Sequence, residues 1–242
     1  MPDCPKVIGV IPARLHSTRL PAKVLRPIGG KAMIEWVYQS ARRSPHLDEL
    51  LVATDSDEVA QHCTSHGIAF MKTGQHPSGS DRVHEVMQRT DGDIYANIQG
   101  DEPTIQPEHI ELLLQPILEG RAEVSTLKVA LDAEAAMNPN AVKVVADCAG
   151  RALYFSRAPI PYDRDRSSGI RYFKHIGIYA YTRTALSRFH QLPQSPLELA
   201  EKLEQLRYLE NGISIVAIET RQDTVGVDTE EDLKRVMALL QK

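Results

Sequence analysis

Lys6-Val-Ile-Gly-Val-Ile-Pro12 runs directly into Ala13-Arg14-Leu-His-Ser17-Thr-Arg19-Leu-Pro-Ala-Lys23. The first stretch is a short apolar run stopped by proline, which reads as a buried strand. The second opens a polar loop that extends to Lys31 and carries Arg14, Arg19, Lys23, Arg26 and Lys31. A loop of that length is unusual between a strand and a helix, and such loops are more often functional than idle. Beyond it, Ile34, Val37, Tyr38 and Ala41 fall at i, i+3, i+4 and i+7, a helical stripe. Glu49–Thr54 reads as the second strand. Asp55 or Ser56 caps the next helix, with Asp57 and Glu58 in its first turn.

The alternation continues with a strand at Ile68–Met71, a helix over Ser80–Arg89 and a strand at Ile94–Gln99. Pro107 opens a helix with Ile110, Leu113, Leu114 and Ile117 in register. Strand character then becomes denser: Val124–Val129, Val142–Asp147, Ala152–Ser156, His175–Tyr181 and Ile213–Ile218, interrupted by a helix around Leu197–Asn211. Leu199, Leu203 and Leu206 are read as the buried face of that helix. Thr229 caps a last helix carrying Leu233, Val236, Met237 and Leu240. Alternating βα units predict an α/β fold, a doubly wound, mostly parallel (mixed) sheet; the strand-rich middle predicts a smaller lobe.

The whole chain is 242 residues, enough for one large α/β unit carrying such a lobe. Apolar residues are 42% and charged residues 25%, so disorder, collagen and a coiled coil are excluded. No apolar run approaches the roughly 18 residues of a membrane helix. A net charge of -4 disfavours general nucleic-acid binding. The three cysteines, Cys4, Cys63 and Cys148, form no CxxC pair, which suits free thiols in a reducing compartment. With the first strand beginning by Val7, no leader pattern fits, and a cytoplasmic location is expected.

In open α/β sheets, ligands bind where strands end at their carboxyl edges. Three charged loops lie at such ends: Arg14–Lys23, Asp101-Glu102 and Asp228. The basic loop offers guanidinium forks, an ammonium and hydroxyls, a set suited to a polyphosphate. It contains neither GxGxxG nor GxxxxGK[ST], and a solvated basic loop is an equal reading. Asp101, in Gln99-Gly100-Asp101-Glu102-Pro103, is placed to hold Mg²⁺. Asp228, in Gly226-Val-Asp228-Thr229, reads first as helix-capping material. The nine histidines show no HExxH; His62 and His66 stand four apart without an evident third ligand, which argues against zinc. A basic loop facing acidic strand ends is equipment for Mg²⁺-assisted phosphoryl or nucleotidyl transfer.

Several strings together resemble one family. Val10-Ile-Pro-Ala-Arg14-x-x-Ser17-Thr-Arg19-Leu-Pro-x-Lys23, Ser78-Gly-Ser-Asp-Arg82, Asn97-Ile-Gln-Gly-Asp-Glu-Pro103, Ala152-Leu-Tyr-Phe-Ser-Arg157, His175-Ile-Gly-Ile-Tyr179 and Gly226-Val-Asp-Thr229 are similar to motifs of the 3-deoxy-manno-octulosonate (KDO) cytidylyltransferases. The resemblance covers essentially the whole chain in order. It implies the nucleotide-diphospho-sugar transferase fold and transfer of CMP from CTP to KDO. It implies too that pyrophosphate is released and that CMP-KDO serves lipopolysaccharide biosynthesis. It implies a single domain over 1–242, with a nucleotide-binding part at about 1–130 plus the C-terminal segment. The sugar-binding and dimerisation part falls at about 131–212.

By the same resemblance Arg14, Lys23, Asp101 and Asp228 are catalytic, and Asp101 and Asp228 carry Mg²⁺. Pro12, Ala13, Arg14, Ser17, Arg19, Lys23, Thr73, Ser78, Gly79, Arg82 and Gln99 bind the nucleotide. Arg157, Arg164, His175, Tyr179, Glu204 and Gln205 bind the sugar, although His175 and Tyr179 also read as packed core and Glu204 as a solvated residue. A homodimer acting on small molecules, with no nucleic-acid or membrane partner, is expected. The chain departs from the family at Ala22, usually glycine, and Val24, usually proline. An alanine at 22 implies that this loop position does not need a left-handed backbone. The segment between Arg166 and His175 is shorter than usual. The same chemistry on another acid sugar, such as an acylneuraminate or 8-amino-KDO, is the neighbouring reading. A glycosyltransferase would place DxD where Gly100-Asp101-Glu102 stands, and a silent nucleotide-binding subunit has no need to keep all four catalytic candidates.

Overall fold

The computed structural model describes residues 5–15, 20–165 and 169–240. In chain order the elements are β1 (Val7–Pro12), β2 (Pro27–Ile28), β3 (Lys31–Ala32), α1 (Met33–Ala41), β4 (Glu49–Thr54), α2 (Asp57–Ser65), β5 (Phe70–Lys72), α3 (Gly79–Gln88), β6 (Ile94–Asn97) and α4 (Pro107–Leu118). Then follow β7 (Val124–Leu131), β8 (Lys143–Ala146), β9 (Ala152–Ser156), β10 (Tyr172–Thr182), α5 (Arg183–Gln191), α6 (Pro196–Glu201), α7 (Leu206–Glu210), β11 (Val216–Thr220) and α8 (Glu230–Leu240). Two compact units emerge: residues 1–111 with 224–242, and residues 112–223. Among the described residues, no helix is long and apolar enough to cross a membrane.

In the first unit β1 pairs in parallel with β4 on one side and β6 on the other, and β4 pairs in parallel with β5. The order is therefore β6-β1-β4-β5. The chain builds outward from β1 through β4 to β5, then returns to the far side of β1. Right-handed crossovers put α1 and α2 on one face and α3 on the other, the doubly wound arrangement. The reversal of direction lies between β1 and β6, so their carboxyl ends form the switch-point crevice. β1 is buried along Val7, Ile8, Val10 and Ile11, and α1 buries its expected stripe of Ile34, Val37, Tyr38 and Ala41. Leu20, Ile28 and Met33 share an apolar cluster with Val227, Leu233 and Val236. That cluster docks α8 beneath the N-terminal loop, although the two are some two hundred residues apart in sequence.

The second unit is mostly antiparallel. β10 pairs with β7 and β8, and β8 with β9; β11 lies parallel to β7. The β10–β7 register shifts between Ile176 and Tyr179, a bulge.

Several sequence expectations shift, among them the strand placed at Ile213–Ile218, which is β11, Val216–Thr220. The strand placed at Ile68–Met71 is β5, Phe70–Lys72. Ile68 instead closes α2 in a Schellman motif: Gly67 takes φ +64°, and the Ile68 N–H reaches the Cys63 carbonyl at 2.9 Å. The helix expected around Leu197–Asn211 is two short helices, broken where Lys202 adopts φ +55°. Leu203 and Leu206 are buried, but Leu199 is 46% exposed because the break removes the continuous face it was assigned to. α5 was not anticipated; its stripe of Ala185, Leu186 and Phe189 spans barely one turn. Finally, the 13–31 loop is partly ordered, by the β2–β3 pair and a 3-10 turn at Lys23–Leu25.

Candidate active site

The site is assembled at the switch point of the first unit. Gly100 follows β6 where the chain passes close to β1: a Cβ there would lie 3.0 Å from the Pro12 carbonyl oxygen and 3.2 Å from the Ile34 side chain. Only glycine lets the β6 end approach this closely, and the next residue is Asp101. The segment bearing Asp228 is tied to it by backbone. The Val227 N–H donates to the Asp101 carbonyl at 2.9 Å, and the Val225 N–H donates to Thr104 Oγ1 at 2.8 Å. Two carboxylates 127 positions apart are thereby fixed side by side.

Lys23 completes the cluster. Its Nζ donates to Asp101 Oδ2 at 2.5 Å and to Asp228 Oδ1 at 2.9 Å. Burial alone would lower the pKa of this ammonium, but the charges and hydrogen bonds of Asp101 and Asp228 outweigh it and hold it above the ordinary lysine value. Asp228 is not the helix cap. Thr229 Oγ1 accepts from the Asp232 N–H, and Asp232 Oδ2 accepts from the N–H groups of Asp228 and Thr229. The capping is done by its neighbours, so the Asp228 carboxylate serves the cluster.

Around this core Pro12 ends β1, and Ala13 is buried with its N–H on the Ala53 carbonyl. Arg14 is exposed. Ser17 and Arg19 lie outside the described residues. Ser78 caps α3 by accepting the Asp81 N–H at 3.1 Å. Gly79, first in that helix, lies against Asn97 and Pro12, so the positive end of the α3 dipole points at the same strand ends. Arg82 is turned inward. It is 3% exposed and donates to Thr73 Oγ1, the Gly74 carbonyl and Asp55 Oδ1. It braces the β4 and β5 ends together and spends its donors inside the protein. Gln99 is half-buried between β6 and Asp101.

In the second unit His175, Tyr179 and Gln205 are buried, while Arg164 is exposed. The bulge in β10 collects polar groups at Thr126, whose Oγ1 lies 2.9 Å from His175 Nε2, 3.1 Å from the Ile176 carbonyl and 2.8 Å from the Ile178 carbonyl. A hydroxyl has one proton, and here the carbonyls take it, so His175 donates from Nε2–H as a neutral imidazole. Burial agrees, lowering the His175 pKa to about 3. Tyr179 Oη, Tyr208 Oη and Gln205 Nε2 are buried with no hydrogen-bond partner among the described residues. Burial, together with Tyr181 and Glu204, raises both tyrosine pKa values, so these phenols stay protonated. Arg157 donates from Nε to the Glu201 carbonyl at 2.8 Å and from one terminal nitrogen to the Pro139 carbonyl at 3.2 Å.

Three participants were not singled out from sequence. Thr126 depends on the bulge, Glu201 lies 44 positions from the arginine it holds, and Tyr208 sits on a five-residue helix. None carries a spacing signal. Nor did the His62/His66 pair lack a third donor: Glu35 of α1 lies beside it.

The chain matches the cytidylyltransferase family, "Cytidylyltransferase", over residues 8–215. It is 53% identical over 236 residues to a 3-deoxy-manno-octulosonate cytidylyltransferase of Koribacter versatilis, covering 97% of this chain and 90% of that protein. It is 54% identical to a protein of the same description from Acidobacterium capsulatum, covering 97% and 96%. A solved structure of CMP:2-keto-3-deoxy-manno-octonic acid synthetase complexed with CTP superposes with a TM-score of 0.94 at 46% identity, covering 98% of both chains. At 13% identity, 4-diphosphocytidyl-2C-methyl-D-erythritol synthase from Anaerococcus prevotii shares the fold, with a TM-score of 0.66 over 99% and 98% of the two chains.

Proposed function

The chain belongs to the 3-deoxy-manno-octulosonate cytidylyltransferase family, and from that premise we propose how its own residues carry the transfer of CMP from CTP to KDO. The anomeric hydroxyl oxygen forms a bond to the α-phosphorus of CTP. The bond from that phosphorus to the bridging oxygen breaks, pyrophosphate leaves, and the hydroxyl proton passes to solvent. The product, CMP-KDO, is an activated donor for lipopolysaccharide synthesis.

The electrostatic problem is that an anionic sugar acid must approach a triphosphate. The observation that supports this reading best is the Lys23 ammonium held at 2.5 Å and 2.9 Å from two carboxylates at the switch point. Lys23 and the exposed Arg14 are the cations that would hold the α-phosphate as charge builds on it. Ser17 and Arg19 would add phosphate contacts. The α3 N-terminus at Ser78 and Gly79, with Pro12, Ala13, Thr73 and Gln99, would line the nucleotide; Arg82 would act by bracing that wall.

The donor chemistry of Asp101 and Asp228 fits Mg²⁺: two hard carboxylates, with phosphate and water left to fill the octahedron. When bound, Mg²⁺ supplies charge neutralisation at the α-phosphate and lowers the pKa of an attacking hydroxyl. Asp101 and Asp228 would be its protein ligands, with Lys23 orienting both.

For the sugar, buried Tyr179 Oη, together with Tyr208 Oη and Gln205 Nε2, which have no hydrogen-bond partner among the described residues, fits a polyhydroxylated ligand that satisfies these groups on binding. Glu204 would take hydroxyls, and Arg157 and Arg164 the carboxylate. His175, neutral, would present its polarity without adding charge. A homodimer in the cytoplasm is part of this reading; light scattering checks the dimer.

The test is pyrophosphate release by the purified chain. It is expected only when CTP, KDO and Mg²⁺ are supplied together. Release that is indifferent to KDO, or seen with an acylneuraminate instead, would reassign the sugar.

A further inference from the structure

Away from the carboxylate–lysine cluster, the first unit brings together three other donors. Glu35 on α1, and His62 and His66 at the end of α2, each offer one ligand atom, and these atoms lie within 4.8 Å of one another. Glu35 Oε1 and His62 Nε2 are 3.2 Å apart. That His62 Nε2 is nevertheless buried without a hydrogen-bond partner among the described residues. A neutral His62 ring with its lone pair on Nε2 would face the Glu35 oxygen with no proton between them, a costly arrangement unless a cation stands between the two. The spacing says which. Zinc with ligands at about 2.0–2.1 Å in tetrahedral array sets those ligands about 3.3 Å from each other.

His66 is arranged to match. Its Nδ1 lies 2.9 Å from the His62 carbonyl oxygen. A carbonyl only accepts, so Nδ1 carries the proton and Nε2 presents the lone pair. A ring nitrogen tied to a backbone carbonyl is the usual outer support of a metal-binding histidine. The two rings stack with centroids 4.1 Å apart. Glu35 is held as well, since its Oε1 accepts the Ala32 N–H at 2.8 Å. Glu35 is buried and His66 exposed, so an ion has a path in from the His66 side.

We propose that Glu35, His62 and His66 form a site for Zn²⁺, with water in the fourth position, that ties α1 to α2. Two imidazoles and one carboxylate suit a borderline-soft ion, in contrast to the oxygen-only pair Asp101 and Asp228. The transfer reaction uses none of the three residues, and the site stands independently of it.

The experiment uses the full chain without an affinity tag, saturated with Mg²⁺ and titrated with Zn²⁺ against a chromophoric chelator. One equivalent is expected to bind at micromolar concentration or tighter and to raise the thermal midpoint. His66→Ala alters an exposed side chain and should keep its fold while weakening Zn²⁺ at least about tenfold. His62→Ala and Glu35→Gln should weaken it similarly, and Co²⁺ should give visible d–d absorption that the His66→Ala chain loses. The proposal is overturned if no Zn²⁺ binds in that range, or if binding survives His66→Ala and His62→Ala unchanged. It is equally overturned if bound Co²⁺ shows thiolate charge transfer, which would place the ion at a cysteine instead.

Discussion

Ala22 occupies the left-handed region, at φ +51° and ψ +34°. This contradicts what an alanine there implies, and the reason lies one residue on. The Ala22 carbonyl accepts the Leu25 N–H at 2.9 Å and so starts the 3-10 turn that aims Lys23 at its carboxylates. The turn fixes the backbone, and alanine is strained in it by roughly 1–2 kcal/mol. Glycine would relieve that strain but adds freedom to the unfolded chain, worth up to about 1 kcal/mol. Ala22→Gly should therefore stabilise by about 1 kcal/mol or less, and Ala22→Val should destabilise; urea midpoints check both. Lys23 itself is the more consequential residue. Lys23→Met leaves Asp101 and Asp228 facing each other with their shared cation gone, and turnover should fall by about a hundredfold or more. Asp101→Asn and Asp228→Asn should each lose comparable activity while the circular dichroism spectrum is kept. Near-normal kcat in either would remove that carboxylate from the reaction.

At the scale of elements, α6 and α7 are joined by one buried ion pair. Arg207 Nε lies 2.8 Å from Glu198 Oε2, and a terminal nitrogen lies 2.5 Å from Oε1. Glu198 also accepts the Ser195 N–H as part of the α6 capping box, and the Arg207 guanidinium lies over the Phe189 ring. Glu198→Ala would strand a buried guanidinium, and a loss of about 3–5 kcal/mol is expected in chemical denaturation. Glu198→Leu combined with Arg207→Met should recover much of it, because no charge is left unpaired. This pair also shows why the helix was misjudged. The leucines at 199, 203 and 206 suggest one continuous face, yet polar Lys202 takes a left-handed turn that no glycine announces. By contrast, the bounds of β4 and β9 match the sequence reading, since an unbroken apolar run leaves a strand little choice of limits. Asp101 could be singled out because it follows a predicted strand and Lys23 because it belongs to the basic loop after β1, whereas Asp228 reads first as capping material and is raised only by the family resemblance. Thr126 and Glu201 could not be singled out, because a bulge register and a contact across 44 positions leave no local pattern. Glu35 was hidden for the same reason: its place beside His62 depends on the packing of α1 against α2.

For the whole molecule, charge burial shapes the dependence of stability on pH from two sides. Lys23 is raised above its ordinary value of 10.5 by Asp101 and Asp228. A raised lysine contributes stability that is present below 10.5 and is lost as pH climbs through the folded value. His175 acts at the other end. Its pKa falls from an ordinary 6.5 to about 3 because it is buried, with Lys174 adding a small repulsion. A depressed histidine contributes stability that is complete above 6.5 and drains away as pH falls from there toward 3, when the unfolded chain takes up a proton the folded chain refuses. The slope for one such proton is about 1.4 kcal/mol per pH unit. Carboxylates lie below the upper part of this window: burial raises Asp232, but hydrogen bonds from Thr229 and from the N–H groups of Asp228 and Thr229 outweigh it, so its contribution is lost below its ordinary 3.8, and those of Glu85 and Glu119, also lowered, below their ordinary 4.5. Urea unfolding between pH 7 and 4.5 should therefore show wild-type stability falling with an inflection near 6.5. His175→Gln keeps a donor for Thr126 but cannot titrate. It should be less stable at pH 7, with the fall between 6.5 and 4.5 flattened by the equivalent of one proton. Parallel curves for the two proteins would mean that His175 exchanges protons as readily folded as unfolded, and that its enclosure behind the β10 bulge does not hold in solution.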